Sequence, residues 1–283
     1  MRWLRTGLML GAFWAVPLHA APQLQLVAGA EPRCVFAGRA QTISLRWRNS
    51  GNSAYETALQ QRIMQLTSAT AVFVAQEPWK RLQVLPGQTV VETASVEFPP
   101  VKAETRFMVQ WFNNGSNVLG STEVVAYPPN LLAELGILVN HEEGALGIFD
   151  PENQLKSSLK HLKVDFVDLE NTAPETFRGK LAILGPFEPG ARPLVTAQIK
   201  TLVENGVAVV WVQPRDCDVK RLDGDPQPSF YPVLVGRAAA VVVQPEMVAQ
   251  LANNPRSQLN LIYFCKLALH PRPLTLPPVK RQP

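Results

Sequence analysis

The chain has 283 residues, 46% apolar and 18% charged, with 25 prolines and 17 glycines; this excludes a largely disordered chain and leaves room for two cores of ordinary size. Three cysteines are too few for a disulfide scaffold. The formal charge of +4 falls to +2, with 25 basic against 23 acidic residues, once Arg2 and Arg5 are set aside with the leader they open, and that balance gives no case for nucleic acid.

Residues 1–21 read MRWLRTGLMLGAFWAVPLHAA. Arg2 and Arg5 precede an apolar stretch from Leu8 to Val16, Pro17 breaks it, and the small residues Ala20 and Ala21 follow. This is the layout of a secretory signal peptide over residues 1–20, cleaved after Ala20. A membrane anchor needs about 20 unbroken apolar residues, and this run is shorter. No cysteine follows the cut and no later run is long enough to span a bilayer. The expectation is an exported mature chain, periplasmic or extracellular, with no transmembrane segment. Export permits a disulfide between Cys217, in a polar loop, and Cys265, in LNLIYFCKLAL. The plainer reading of Cys265 is a buried small hydrophobe.

From 24 to 128 the chain alternates. Ile43, Leu45 and Trp47 fall on one face of a strand over 42–48, and Asn49-Ser50-Gly51-Asn52 is a turn cluster. Further strands are predicted over 71–74, 82–85, 89–98, 107–112 and 118–127, with turns at Pro86-Gly87 and Asn113–Asn117. The stretch 53–66 reads as a bulged strand or a short helix. Short strands at this spacing predict an immunoglobulin-like β-sandwich.

Pro128-Pro129 marks a boundary, and over 130–270 strands alternate with helices. Asn130 is placed to cap a helix over Leu131–Val139. Strands follow over 145–149, 164–169, 181–184, 207–212 and 238–243. Helices are predicted around Leu155, Leu159 and Leu162, over 191–204 with a stop at Asn205-Gly206, and over 257–269. Strand–helix alternation predicts a doubly wound parallel sheet. The fold class is therefore two domains, β then α/β, followed by a Pro-rich tail over 271–283.

Residues 181–213, LAILGPFEPGARPLVTAQIKTLVENGVAVVWVQ, resemble the core of the class I glutamine amidotransferase-like superfamily, whose fold is flavodoxin-like. Active members place a cysteine nucleophile on a strained turn bracketed by glycines. The resemblance puts Gln213 at the nucleophile position, with Trp211 and Arg215 where the flanking glycines stand. An amide is no nucleophile, and Pro214 follows it. His270-Pro271 echoes the family's His-Pro-Glu motif, but Arg272 replaces the acid. The resemblance thus implies the fold without the catalytic cysteine.

Ligands of open α/β sheets bind at the carboxyl ends of the strands. That rim carries Asp150, Gly185, Glu188, Gln213, Arg215, Asp216 and Gln244, of which Asp150, Glu188, Gln213, Arg215 and Asp216 are the candidate binding residues. No GxGxxG or P-loop spacing is present. Asp216, Asp218, Asp223 and Asp225 lack the spacing of a calcium loop. His141 beside Glu142 and Glu143 reads as a solvated turn in preference to a weak metal site, and His161 as a solvent-facing helix residue. No cofactor, metal or catalytic residue is assigned. The favoured function is an exported non-catalytic binding or scaffold protein with an envelope protein or a glycan as partner. The alternatives are a hydrolase using Cys217 with a histidine, or the pair Glu188 and Asp216, and a small-ligand sensor binding between the domains.

Overall fold

The computed structural model describes residues 23–27, 29, 33–114, 117–187, 196–212, 230–235 and 238–271, with the side chains of 196–198, 230–235, 238 and 239 left aside. The fold is mixed α/β. Its N-terminal half holds β1 (Leu24–Val27), β2 (Arg33–Phe36), β3 (Ala40–Asn49), β4 (Tyr55–Leu66), β5 (Ala71–Val84), β6 (Thr89–Glu97), β7 (Thr105–Asn113) and β8 (Val118–Tyr127). These form a three-stranded sheet ordered β1-β3-β6 and a five-stranded sheet ordered β2-β8-β7-β4-β5. All neighbours are antiparallel except β2 and β8, and β1 and β2 lie in different sheets.

Period-two burial explains the two faces. Ile43, Leu45 and Trp47 of β3 are buried while Thr42, Ser44 and Arg46 face outward. They meet Val109 and Trp111 of β7 in one core shared by both sheets. Trp47 and Trp111 pack edge to face, centroids 6.3 Å apart at 89°, and Trp79 of β5 completes the cluster at 5.0 Å from Trp111. Asn49 is buried at the end of β3 with its amide satisfied: Nδ2 donates to the carbonyls of Ser53 (2.8 Å) and Val84 (2.9 Å), and Oδ1 accepts from Gly51 N (2.9 Å). That amide holds the turn cluster against β5.

Of the two readings of 53–66, a bulged strand or a short helix, the structure has the strand: β4 runs from Tyr55 to Leu66, its pairing with β5 shifting register between Ala58 and Gln60 and again between Ile63 and Met64. The strands expected over 71–74 and 82–85 are one continuous β5, because the polar residues between them still pair with β4.

The C-terminal half holds a 3-10 turn (Leu131–Ala133), α1 (Glu134–Leu138), β9 (Leu146–Phe149), α2 (Gln154–His161), β10 (Val167–Asp168), β11 (Leu181–Leu184), α3 (Thr196–Glu204), β12 (Ala208–Val212), β13 (Phe230–Val235), β14 (Ala238–Val243) and α4 (Pro255–Leu269). The sheet runs β10-β9-β11-β12-β14-β13. Five strands are parallel, and β13 pairs antiparallel with β14 at the edge. Leu146, Ile148, Leu181, Ile183, Val210 and Val241 point to one face, against Leu155 and Leu159 of α2 and Leu261 and Phe264 of α4. Ala182, Leu184, Val209 and Trp211 point to the other, against Ile199, Leu202 and Val203 of α3. Cover on both faces is why these strands read as unbroken apolar runs.

Corrections follow in this half as well. Asn130 makes no side-chain cap, and the expected helix over 131–139 is a 3-10 turn leading into five α-helical residues. The strand expected over 164–169 pairs only at Val167 and Asp168. Strand β13 was missed, since Pro232 interrupts its apolar pattern; an antiparallel edge strand tolerates that proline. The asparagine–glycine stop does end α3: Gly206 sits at φ +85°, its N–H donating to Val203 O (2.9 Å) and Val207 N–H to Leu202 O (3.1 Å).

The halves meet where α4 lies on β2 and β8. Phe36, Val125 and Tyr127 are buried there with Cys34, Leu131 and Leu259 around them, and Arg256 Nη2 donates to Cys34 Sγ at 3.9 Å.

Candidate binding site at the strand ends

Strand β9 has β10 on one side and β11 on the other. The chain therefore leaves β9 and β11 toward opposite sides of the sheet, and the exits part to leave a crevice. The residue after β9 is Asp150, fully buried. Its Oδ2 accepts from Leu155 N (2.7 Å) and Lys156 N (2.9 Å), amides in the first turn of α2. Asn153 precedes α2 at φ 56° and makes no side-chain cap, so Asp150 performs that task from three residues upstream. Its Oδ1 is buried without a hydrogen-bond partner among the described residues.

Lys156 is 4% exposed, yet its Nζ lies 2.6 Å from Glu170 Oε1 and 3.4 Å from Asp168 Oδ2. Burial opposes the ammonium, but the hydrogen bonds and charges of Glu170 and then Asp168 outweigh it and hold Lys156 above its ordinary range. Burial likewise opposes the Asp168 carboxylate; the Glu170 backbone N–H and Lys156 reverse that and hold it below the usual range. Glu170 Oε1 also accepts from Asp150 N (3.1 Å), which ties the ends of β9 and β10 to α2. Lys156, Asp168 and Glu170 thus bind one another at this end of the sheet.

Beside them lies a cavity of about 580 Å³, bounded by the β9–α2 connection, by Phe187 beyond β11, and by residues 249–252 before α4. Glu152, Asn153, Gln154, Ser157, Ser158 and Gln250 supply its polar wall. Gln250, like Asn153, is a non-glycine residue in the left-handed region, at φ 57°. Among the described residues, no cysteine, histidine, lysine or arginine lines the cavity.

Of the residues predicted for the rim, Asp150 is a helix cap, Gln244 is buried, and Gly185 continues the sheet by donating to Phe149 O at 2.8 Å. Glu188, Gln213, Arg215, Asp216 and Cys217 lie outside the described residues, as do Asp218, Asp223 and Asp225. Cys265 is buried and free, so it forms no bridge to Cys217, and burial pushes its thiol far up. His141, His161 and His270 are exposed or partly exposed on separate segments. Among the described residues, no group of three or more His, Cys, Asp or Glu is placed to hold a metal ion, and no helix is long and apolar enough to cross a membrane. Sequence reasoning missed Lys156 and Gln250. A lysine three residues into a helix reads as solvated, and only the register of β10 beside β9 brings Asp168 to it.

No family model matches the chain, and no curated protein matches it. Solved structures share part of its backbone. The β-glucosidase from Listeria innocua is 14% identical, with a TM-score of 0.28, over 37% of this chain and 16% of that one. The alkylpurine DNA glycosylase AlkC of Pseudomonas fluorescens is 14% identical, with a TM-score of 0.30, over 37% of this chain and 30% of that one. The sporulation control protein Spo0M of Bacillus subtilis is 11% identical, with a TM-score of 0.30, over 41% of this chain and 56% of that one. In each case the match spans less than two thirds of the other protein.

Proposed function

We propose that the chain is an exported, non-catalytic binding or scaffold protein, an immunoglobulin-like β-sandwich followed by a degenerate class I glutamine amidotransferase-like domain, whose partner is an envelope protein or a glycan. The observation that carries this reading is the strand-end cavity, which offers amide and hydroxyl groups but no nucleophile–base pair among its described lining residues. The order of the parallel strands supports the domain assignment. Numbered along the chain, β10-β9-β11-β12-β14 is 2-1-3-4-5, the flavodoxin-like order. In the N-terminal half, Trp47 and Trp111 join the two sheets where immunoglobulin domains carry an inter-sheet disulfide. The described lining of the cavity comes from the C-terminal half, which supports a ligand held at the strand ends.

The test is turnover. The chain from Ala21 onward, assayed against panels of amides and esters before and after thiol alkylation, is expected to hydrolyse none of them. Turnover of any of them overturns the non-catalytic reading, and its loss in Cys217→Ser assigns it to the thiol. Residues 1–24 fused to a reporter that folds only after export are expected to direct it across the membrane; retention in the cytoplasm overturns the export part alone.

A further inference from the structure

We infer that the outer face of the three-stranded sheet binds an acidic polysaccharide through its uronate carboxylates, a contact surface apart from the strand-end cavity that rests on the glycan option of the reading above. Burial along β3 alternates: Ile43, Leu45 and Trp47 turn inward, so Thr42, Ser44, Arg46 and Arg48 stand exposed on the other side. Register carries this face onto β6. There Arg46 lies opposite Val91 and Arg48 opposite Thr89, while Ser44 and Thr42 lie opposite Thr93 and Ser95. Arg33 joins from the edge, its Nη2 donating to Ser44 O. Among the described residues, none of these three arginines pairs with a carboxylate. Glu92, between Val91 and Thr93, points to the other side of the sheet and pairs with Lys80. Glu97, opposite Ala40, stands about 20 Å along β6 from Val91.

Charge selects the ligand's sign, and the neighbouring groups select its form. Two guanidinium forks about 7 Å apart along one strand suit carboxylates, each of which accepts both N–H groups of a fork at once. The serine and threonine hydroxyls beside them donate and accept, as sugar hydroxyls do. Val27 and Val91, both exposed, flank Arg46 on its row and give ring C–H groups an apolar contact. A peptide gains less from this face. Strand β3 is central, paired with β6 on one side and β1 on the other, so an added chain meets side chains without a free ladder to join. A flat sheet likewise gives an acidic helix no groove to lie in.

The experiment is an amide chemical-shift titration of the isotope-labelled chain from Ala21 onward with tetra-galacturonic acid in calcium-free buffer. Neutral galactotetraose and hexa-glutamate are the comparisons. Saturable shifts are expected over 42–48 and 89–95 with the acidic sugar, and none with the neutral one. Raising the salt from about 20 to about 200 mM is expected to weaken binding severalfold. The double variant Arg46→Gln, Arg48→Gln is expected to weaken it about tenfold or more with an unchanged melting temperature, since both positions are exposed. Arg81→Gln, at the exposed ion pair with Glu56, is expected to leave it unchanged. Four outcomes overturn the inference: no saturation with the acidic sugar, shifts confined to other residues, equal affinity in the double variant, or equal affinity for the neutral sugar. Tighter binding of hexa-glutamate over 42–48 overturns it too, and makes the partner an acidic protein. All of them leave the non-catalytic reading standing, because that reading falls only on turnover.

Discussion

Asp150 shows how one side chain can take a structural role that its place in the sequence does not reveal. Its position at the end of β9 follows from the apolar run before it and the proline after it. Its role depends on which way the next helix starts, and α2 begins by turning its amides onto Oδ2. A ligand group and a cap are the same residue type in the same place; only the direction of α2 separates them. Asp150→Ala is expected to cost about 1–2 kcal/mol, the range for losing a helix cap, and Asp150→Asn less, because an amide oxygen still accepts from Leu155 and Lys156. Thermal melts of the two variants beside the parent check the order. Equal losses would mean that charge, not the acceptor, matters at that position.

At the scale of elements, periodicity located the strands well and their limits less well. Strand β5 runs unbroken because pairing with β4, not apolar content, keeps it extended through Gln76-Glu77-Pro78. Helix α3 ends where its sequence says, because the constraint is local. Gly206 takes φ +85°, and a Cβ built on it meets nothing within 4 Å, so a side chain there incurs backbone strain and no clash. Gly206→Ala is therefore expected to destabilise by about 1–2 kcal/mol, read as a lowered denaturation midpoint, with the cores unchanged. A loss well beyond that would point to a steric conflict that the backbone geometry does not contain.

At the scale of the molecule, the seam between the halves carries a titratable group. Tyr127 Oη donates to Glu104 Oε2 at 3.1 Å, and its pKa is raised to about 12, first by burial, then by the Glu104 bond and charge and by Cys34, with Arg256 opposing. A raised pKa stabilises the protonated phenol in the folded state. That contribution is complete below about pH 10, the ordinary tyrosine value, and is lost as pH climbs through about 12. Alkaline unfolding followed beside phenolate absorbance is expected to show one phenol ionising near pH 12. Tyr127→Phe is expected to remove that step and flatten stability over the same interval. If the step survives in the variant, another tyrosine is its source.

What the sequence by itself determined is what depends on near neighbours: alternation in β3, the stop of α3, the apolar runs of β11, β12 and β14, and the charge balance that gives no case for nucleic acid. Only the tertiary structure decided which strands lie side by side. The order β10-β9-β11-β12-β14-β13 puts Asp168 beside Lys156 and brings residues 152–158 and 249–252, nearly a hundred positions apart, to one cavity. The physical reason is the range of the forces. Backbone sterics and period-two burial act over a few residues, whereas strand neighbours are chosen by burying apolar faces contributed from the whole chain.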